Sequence, residues 1–105
     1  LVFNEEYKRD HEARVTELHV ASGYAKFNVI QHDIVQINDN FRCMKLKYQR
    51  SFGVDDEFGR PNQITENYRC LNFDKSFGFT ISFNEDLAAL FAPIVKRVVQ
   101  SIELN

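Results

Sequence analysis

The three histidines of this 105-residue chain are its best candidates for acid–base or metal chemistry. His11, His19 and His32 lie in separate segments, and none forms a His-x-His or His-x-x-x-His pair that would present two ligands to one metal. His32 is followed directly by Asp33, which is more typical of a turn than of a catalytic pair. The histidines therefore predict neither a catalytic site nor a metal site.

The two cysteines, Cys43 and Cys70, are the next candidates. They lack the Cys-x-x-Cys spacing of a zinc or redox site, and each falls in a predicted strand. We expect buried, reduced thiols, although neighbouring strands would allow the two to form a disulfide. The sequence also lacks a nucleophile elbow, a phosphate-binding glycine loop and a His-Glu-x-x-His motif. We therefore predict no enzyme and no cofactor.

A basic stretch stands out in the middle of the chain, since residues 41–52 contain no acidic side chain. In a strand, alternation places Arg42, Tyr48 and Arg50 on one face, and Lys45 and Lys47 on the other. This arrangement is compatible with a groove that holds cationic and aromatic groups.

The loop that follows the basic stretch is acidic at its near end. It contains Asp55, Asp56 and Glu57, and then Arg60. The cluster lacks the alternating oxygen ligands of a calcium-binding loop. We expect a solvated loop that is a candidate contact surface for a partner.

Alternating apolar and polar residues predict six strands, at 15–20, 24–30, 34–38, 41–52, 67–73 and 77–83. The connections are short, except for a loop at 53–66, and this indicates an antiparallel meander. The strand at 77–83 is the clearest, because four apolar residues alternate with Gly78, Thr80 and Ser82. One face of that strand should be buried.

An amphipathic helix is predicted directly after this strand. Asn84 is a suitable N-cap, and Glu85 and Asp86 suit the positive end of the helix dipole. We expect the apolar residues to form a single stripe against the core; they are Leu87, Leu90, Phe91, Ile94, Val95, Val98 and Ile102. Pro93 lies inside this helix and should bend it around the sheet.

These elements predict an α+β fold. We expect an antiparallel meander of about six strands, forming a curved sheet or small open barrel, packed by one C-terminal helix. Residues 1–14 are predicted to be a charged arm or short helix, and residues 15–105 a single globular domain.

The predicted function is that of a non-enzymatic module that binds a protein or peptide partner. Antiparallel strands closed by a C-terminal helix resemble the outline of pleckstrin-homology-like domains, and that resemblance implies peptide, phosphoinositide or protein recognition. A sheet face or edge and the 53–66 loop would form the contact surface. The candidate residues are Arg42, Lys45, Lys47, Tyr48, Arg50, Asp55, Asp56 and Arg60.

The alternative is binding of single-stranded DNA or RNA along strand 41–52. Lys45, Lys47 and Arg50 would contact phosphates, and Tyr48 would stack on bases. The strand at 78–83 and its following helix are also similar in outline to single-stranded-DNA-binding transcriptional coactivators.

Overall charge and hydropathy limit the other partners. The formal net charge is −2 and the isoelectric point is about 5.9, so no global basic field attracts nucleic acid or an anionic membrane. No apolar run reaches the length of a membrane span. We expect a soluble, intracellular protein without membrane contact, and open sheet edges leave a homo-oligomer as a further option.

Overall fold

The computed structural model describes residues 3–72 and 75–103. Leu1 and Val2 of the predicted arm, Phe73 of the fifth predicted strand and Asp74 of the following turn lie outside the described residues. The elements are α1 (Glu5–Ala21), β1 (Lys26–Gln36), β2 (Arg42–Ser51), β3 (Gln63–Asn72), β4 (Lys75–Asn84) and α2 (Ala88–Gln100), with a short 3-10 turn at Glu85–Leu87.

The first helix, α1, replaces both the predicted arm and the predicted strand at 15–20. Asn4 caps it, because its side-chain oxygen accepts a hydrogen bond of 2.8 Å from the backbone N–H of Tyr7. His11, Val15 and His19 recur every four residues and lie on the face that meets the sheet. The strand prediction was wrong because the alternating residues 15–20 also fit a helix with few apolar side chains.

The strands predicted at 24–30 and 34–38 form one continuous strand, β1. The register against β2 shifts between Val29 and Gln31, so Ile30 is the extra residue of a β-bulge. A bulge reverses which residues face each side of the sheet. The sequence pattern therefore predicted two strands where there is one. The turn predicted at His32 and Asp33 is therefore absent, and both residues pair with β2.

The sheet is a four-stranded antiparallel meander in the order β1-β2-β3-β4. The α+β class, the antiparallel pairing and the C-terminal helix are confirmed, whereas the six strands and the barrel-like shape are not. Strand β2 is central, with partners on both sides, so its backbone offers no free edge.

One helix covers each face of the sheet. Val15 of α1 packs with Leu46, Tyr48 and Phe27 on one face. The larger core lies on the opposite face, under α2, and includes Ile37, Phe41, Cys43, Tyr68, Cys70, Val95 and Val99. The four apolar residues predicted to form one face of β4 pack against this core, as expected.

Cys43 and Cys70 form a disulfide, contrary to the reduced thiols expected from the sequence. They are direct partners in the β2–β3 register, with Cα atoms 4.0 Å apart, and both are fully buried. Disulfides persist mainly in oxidising compartments. The intracellular location therefore stays a prediction, and the disulfide favours an oxidising compartment instead.

The start of α2 differs from the predicted cap. Asn84 precedes the 3-10 turn, and its side chain makes no capping hydrogen bond. The regular helix begins at Ala88, and Pro93 lies exposed within it without ending it. Water can reach the carbonyl group that Pro93 leaves without a helical partner.

Candidate functional site

The second helix is apolar on two sides. Val95 and Val99 are buried against the sheet, and Phe91 and Ile102 pack beside them. A second set, which we call the outer stripe, faces solvent; it comprises Leu87, Leu90, Ile94 and Val98, with exposed fractions of 42%, 64%, 40% and 46%. The single core-facing stripe predicted from the sequence was therefore wrong, because four of its seven apolar residues point outward.

A cavity of about 470 Å³ lies between α2 and the sheet, and we call it the α2 cavity. Its apolar walls include Val35 and Ile64 from the sheet, Ile37 directly after β1, and Ala92, Val95 and Val99 from α2. Its polar lining includes Lys45, Lys47, Glu66, Tyr68, Glu85 and Lys96. The small side chain of Ala92 leaves space between helix and sheet.

The floor of the α2 cavity holds a buried carboxylate. Glu66 is 6% exposed, and its Oε1 atom lies 3.3 Å from Lys45 Nζ and 2.5 Å from the Tyr68 hydroxyl, which donates to it. Burial raises the pKa of Tyr68, and the hydrogen bond to Glu66 raises it further. The phenol therefore stays protonated and the Glu66 charge is compensated.

Two further lysines flank this floor. Lys47 is half-buried on β2, and Lys96 is exposed on α2. Within residues 3–72 and 75–103, neither ammonium group forms an ion pair. Glu85, on the same lining, accepts a hydrogen bond of 2.8 Å from the side chain of Gln49. The polar lining thus carries three cations and two anions, and the uncompensated charge is positive.

On the opposite face of the sheet, α1 covers Tyr48 of β2. Tyr48 is 2% exposed, and its hydroxyl lies 2.5 Å from His19 Nε2. Arg50 donates to His19 Nδ1 at 3.2 Å, so neutral His19 carries its proton on Nε2 and donates it to Tyr48. Burial lowers the pKa of His19, and the charge of Arg50 lowers it further. Arg50 also donates to Gln63.

A second histidine network joins α1 to the sheet. His11 Nε2 donates to Asn67 Oδ1 at 2.7 Å, and His11 Nδ1 lies 3.2 Å from His32 Nε2. The other ring nitrogen of His32 lies 2.8 Å from Glu12. Burial lowers the pKa of His11, against the opposing effect of the Asn67 hydrogen bond. His11 and His32, 21 residues apart in sequence, thus share one buried network.

The loop after β2 is ordered by a cation that lies between aromatic rings. Arg60 lies 3.4 Å from the ring centre of Phe52 and 5.3 Å from that of Phe58. It also forms a two-pronged ion pair with Asp56, at 2.8 and 3.0 Å. The hydrogen bond from Arg60 lowers the pKa of Asp56 to about 2.

The structure separates the candidate residues into distinct places. Lys45 and Lys47 line the α2 cavity, Tyr48 and Arg50 lie under α1, and Asp56 and Arg60 pair with each other. The remaining two, Arg42 and Asp55, are exposed. Because Tyr48 is enclosed, the residues do not form one open groove, and the nucleic-acid alternative stays a prediction.

The sequence alone assigned no site role to Glu66 or Lys96, did not place Tyr68 at a cavity, and placed the outer stripe of α2 against the core. Glu66 and Tyr68 are two residues apart on one strand, and residues with this spacing lie on the same face of a sheet. This spacing could have been used to predict that the two side chains are close together. Lys96 had no signal, because its proximity to the sheet depends on the docking of α2.

Neither a metal site nor a membrane span is evident in the part of the chain that the structure describes. Residues 3–72 and 75–103 contain no group of three potential metal ligands. No helix among them is both long and apolar enough to cross a bilayer. Comparison of the chain with protein-family models, with curated proteins and with solved structures found no match.

Proposed function

We propose that this chain is a non-enzymatic protein-binding module and that its contact surface is the outer stripe of α2. The observation that carries the proposal is the exposure of four large aliphatic side chains, at 40% to 64%, along one side of α2 and the 3-10 turn before it. Contiguous apolar patches on a folded domain typically mark protein contacts. We propose this contact surface in preference to residues 41–52 and the 53–66 loop expected from the sequence, which stay a prediction.

The partner that the charges support is a second copy of this chain. Arg97 lies on α2 and Asp86 in the 3-10 turn before it, and both are exposed. If the helical period of about 3.6 residues is continued back through this turn, the two lie on the same flank of the outer stripe. When two copies of α2 pack antiparallel about a two-fold axis, Asp86 of one copy lies beside Arg97 of the other, and this happens twice. The surface is therefore self-complementary in charge as well as apolar.

The expected affinity is modest. Full burial of one such side chain is worth roughly 1.5–3 kcal/mol, so completing the burial of eight half-exposed side chains gives on the order of 6–12 kcal/mol. Part of this gain is offset by the loss of translational and rotational freedom on association. We expect a dissociation constant in the micromolar range.

Sedimentation equilibrium over about 5–500 μM protein tests the proposal, since this range spans micromolar affinities. The wild type should shift from monomer to dimer, and Leu90→Glu, at the centre of the outer stripe, should remain monomeric. Leu18→Glu is the matched control, because Leu18 is equally exposed, at 66%, but lies on α1. The proposal is overturned if the wild type stays monomeric or if Leu18→Glu disrupts the dimer equally.

A charge exchange tests the antiparallel arrangement. Asp86→Arg and Arg97→Asp should each weaken the dimer, because each places like charges together. The double variant should recover the wild-type affinity, since the two charges are only exchanged. A double variant as weak as the single variants would overturn the antiparallel pairing of two copies.

A further inference from the structure

The α2 cavity is separate from the outer stripe, because it lies on the sheet-facing side of the helix. Its volume of about 470 Å³ falls within the range typical of small-molecule sites. At about 30 Å³ for each water molecule in the liquid, it equals the space of roughly 15 waters. A ligand with on the order of 10–20 non-hydrogen atoms fits this space.

The walls of the cavity select an apolar ligand body. Val35 and Ile37 form one side, and Val95 and Val99 of α2 form the other. These side chains belong to, or pack against, the main core, so their positions are set by the fold. A flexible hydrocarbon segment between them is stabilised by the removal of its apolar surface from water.

The polar lining selects the charge of the ligand. Glu66 already has two partners, Lys45 and Tyr68, and Glu85 has a hydrogen bond from Gln49. The ammonium groups of Lys47 on the sheet and Lys96 on α2 form no ion pair with the described residues. Gln49 is neutral, so after the Lys45–Glu66 pair two lysines and one glutamate remain, and the net charge of the cavity lining is positive.

We infer that the α2 cavity binds a small amphipathic carboxylate. The hydrocarbon part lies between the valine and isoleucine side chains of the sheet and α2. The carboxylate is bound by Lys47 and Lys96, which supply charge-assisted hydrogen bonds. A cation with the same hydrocarbon tail is disfavoured, because it would place like charges together.

Isothermal titration calorimetry with decanoate, below its micelle concentration, tests the inference. Decyltrimethylammonium and decanol are the matched probes, since they keep the tail and change the head group. Decanoate should bind more tightly than either probe. The inference is overturned if decanoate gives no binding, or if the cation or the alcohol binds as tightly.

Three variants locate the site. Lys47→Gln and Lys96→Gln should each weaken decanoate binding by about fivefold to tenfold, because each removes one charged donor. Lys75→Gln is the matched control, as this exposed lysine lies at the start of β4, away from the cavity, and it should bind as the wild type does. Equal effects at all three positions would overturn the assignment.

A cavity-filling variant tests the apolar part. Ala92→Phe places a large side chain on the wall of the α2 cavity at an exposed helix position. It should abolish decanoate binding while circular dichroism shows the wild-type fold. Unchanged binding in a folded Ala92→Phe variant would place the ligand elsewhere and overturn the inference.

Ligand binding in the α2 cavity can be tested independently of the proposed dimer. The titrations are repeated in the Leu90→Glu background, in which the outer stripe is disrupted and the cavity lining is intact. Decanoate binding by this variant supports the cavity assignment whether or not the wild type dimerises. Loss of binding only in this background would contradict a cavity contained in one copy.

Discussion

Removal of the Cys43–Cys70 disulfide is expected to destabilise the protein strongly. The two cysteines are separated by 27 positions in sequence, and the crosslink closes this loop in the unfolded chain. The chain-entropy relation for a loop of that length gives about 3.5 kcal/mol at 25 °C. That is a large fraction of the roughly 5–15 kcal/mol by which a domain of this kind is stable.

The perturbation is the double variant Cys43→Ala with Cys70→Val. It removes the crosslink and approximately conserves the volume of two fully buried side chains, so that a cavity contributes little. Urea unfolding is followed by far-ultraviolet circular dichroism, because the sheet and both helices contribute to that signal. The urea midpoint is expected to fall by on the order of 2 M.

Two controls isolate the crosslink from the side-chain change. Wild-type protein unfolded and refolded in reductant should lose about the same stability as the double variant, since both lack the same loop closure. The double variant itself should not respond to reductant. Thiol titration of the denatured wild type without reductant should detect no free cysteine.

A measured loss below about 1 kcal/mol would refute the loop-closure reasoning, because it would show that the unfolded chain is already restricted in this segment. Two free thiols in the denatured, unreduced wild type would refute the disulfide itself. In that case the buried, reduced thiols expected from the sequence would be the correct interpretation.

Two further perturbations test the polar contacts beneath the helices. His11 and His19 have pKa values lowered by burial from about 6.5, so below that pH the unfolded chain binds protons that the folded chain does not. The free energy of unfolding should therefore fall on acidification, by up to about 1.4 kcal/mol per pH unit for each histidine. Urea titrations from pH 8 to 5 should show a smaller loss of stability in His11→Gln than in the wild type. Equal losses in the two proteins would contradict this. Glu66→Gln should lower the free energy of unfolding by about 1–3 kcal/mol, because Lys45 loses its carboxylate partner. Adding Lys45→Met should recover part of that loss in the same urea assay, and no recovery would contradict the pairing.

The sequence by itself determined the elements whose residues carry a strong local pattern. Four apolar residues alternate along β4, and an apolar helical period follows at once, so strand, helix and buried strand face were all predictable. The short connections predicted antiparallel pairing for the same reason. Local periodicity did not distinguish α1 from a strand, because this helix buries only His11 and Val15.

Only the tertiary structure decided which side chains meet. The bulge at Ile30 sets which face each half of β1 presents, and the β2–β3 register brings Cys43 to Cys70. The position of α2 on the sheet divides its apolar residues into a packed side and the outer stripe, and it places Lys96 at the same cavity as Lys47. Such contacts depend on strand register and helix docking between distant segments, which periodicity within one segment does not encode.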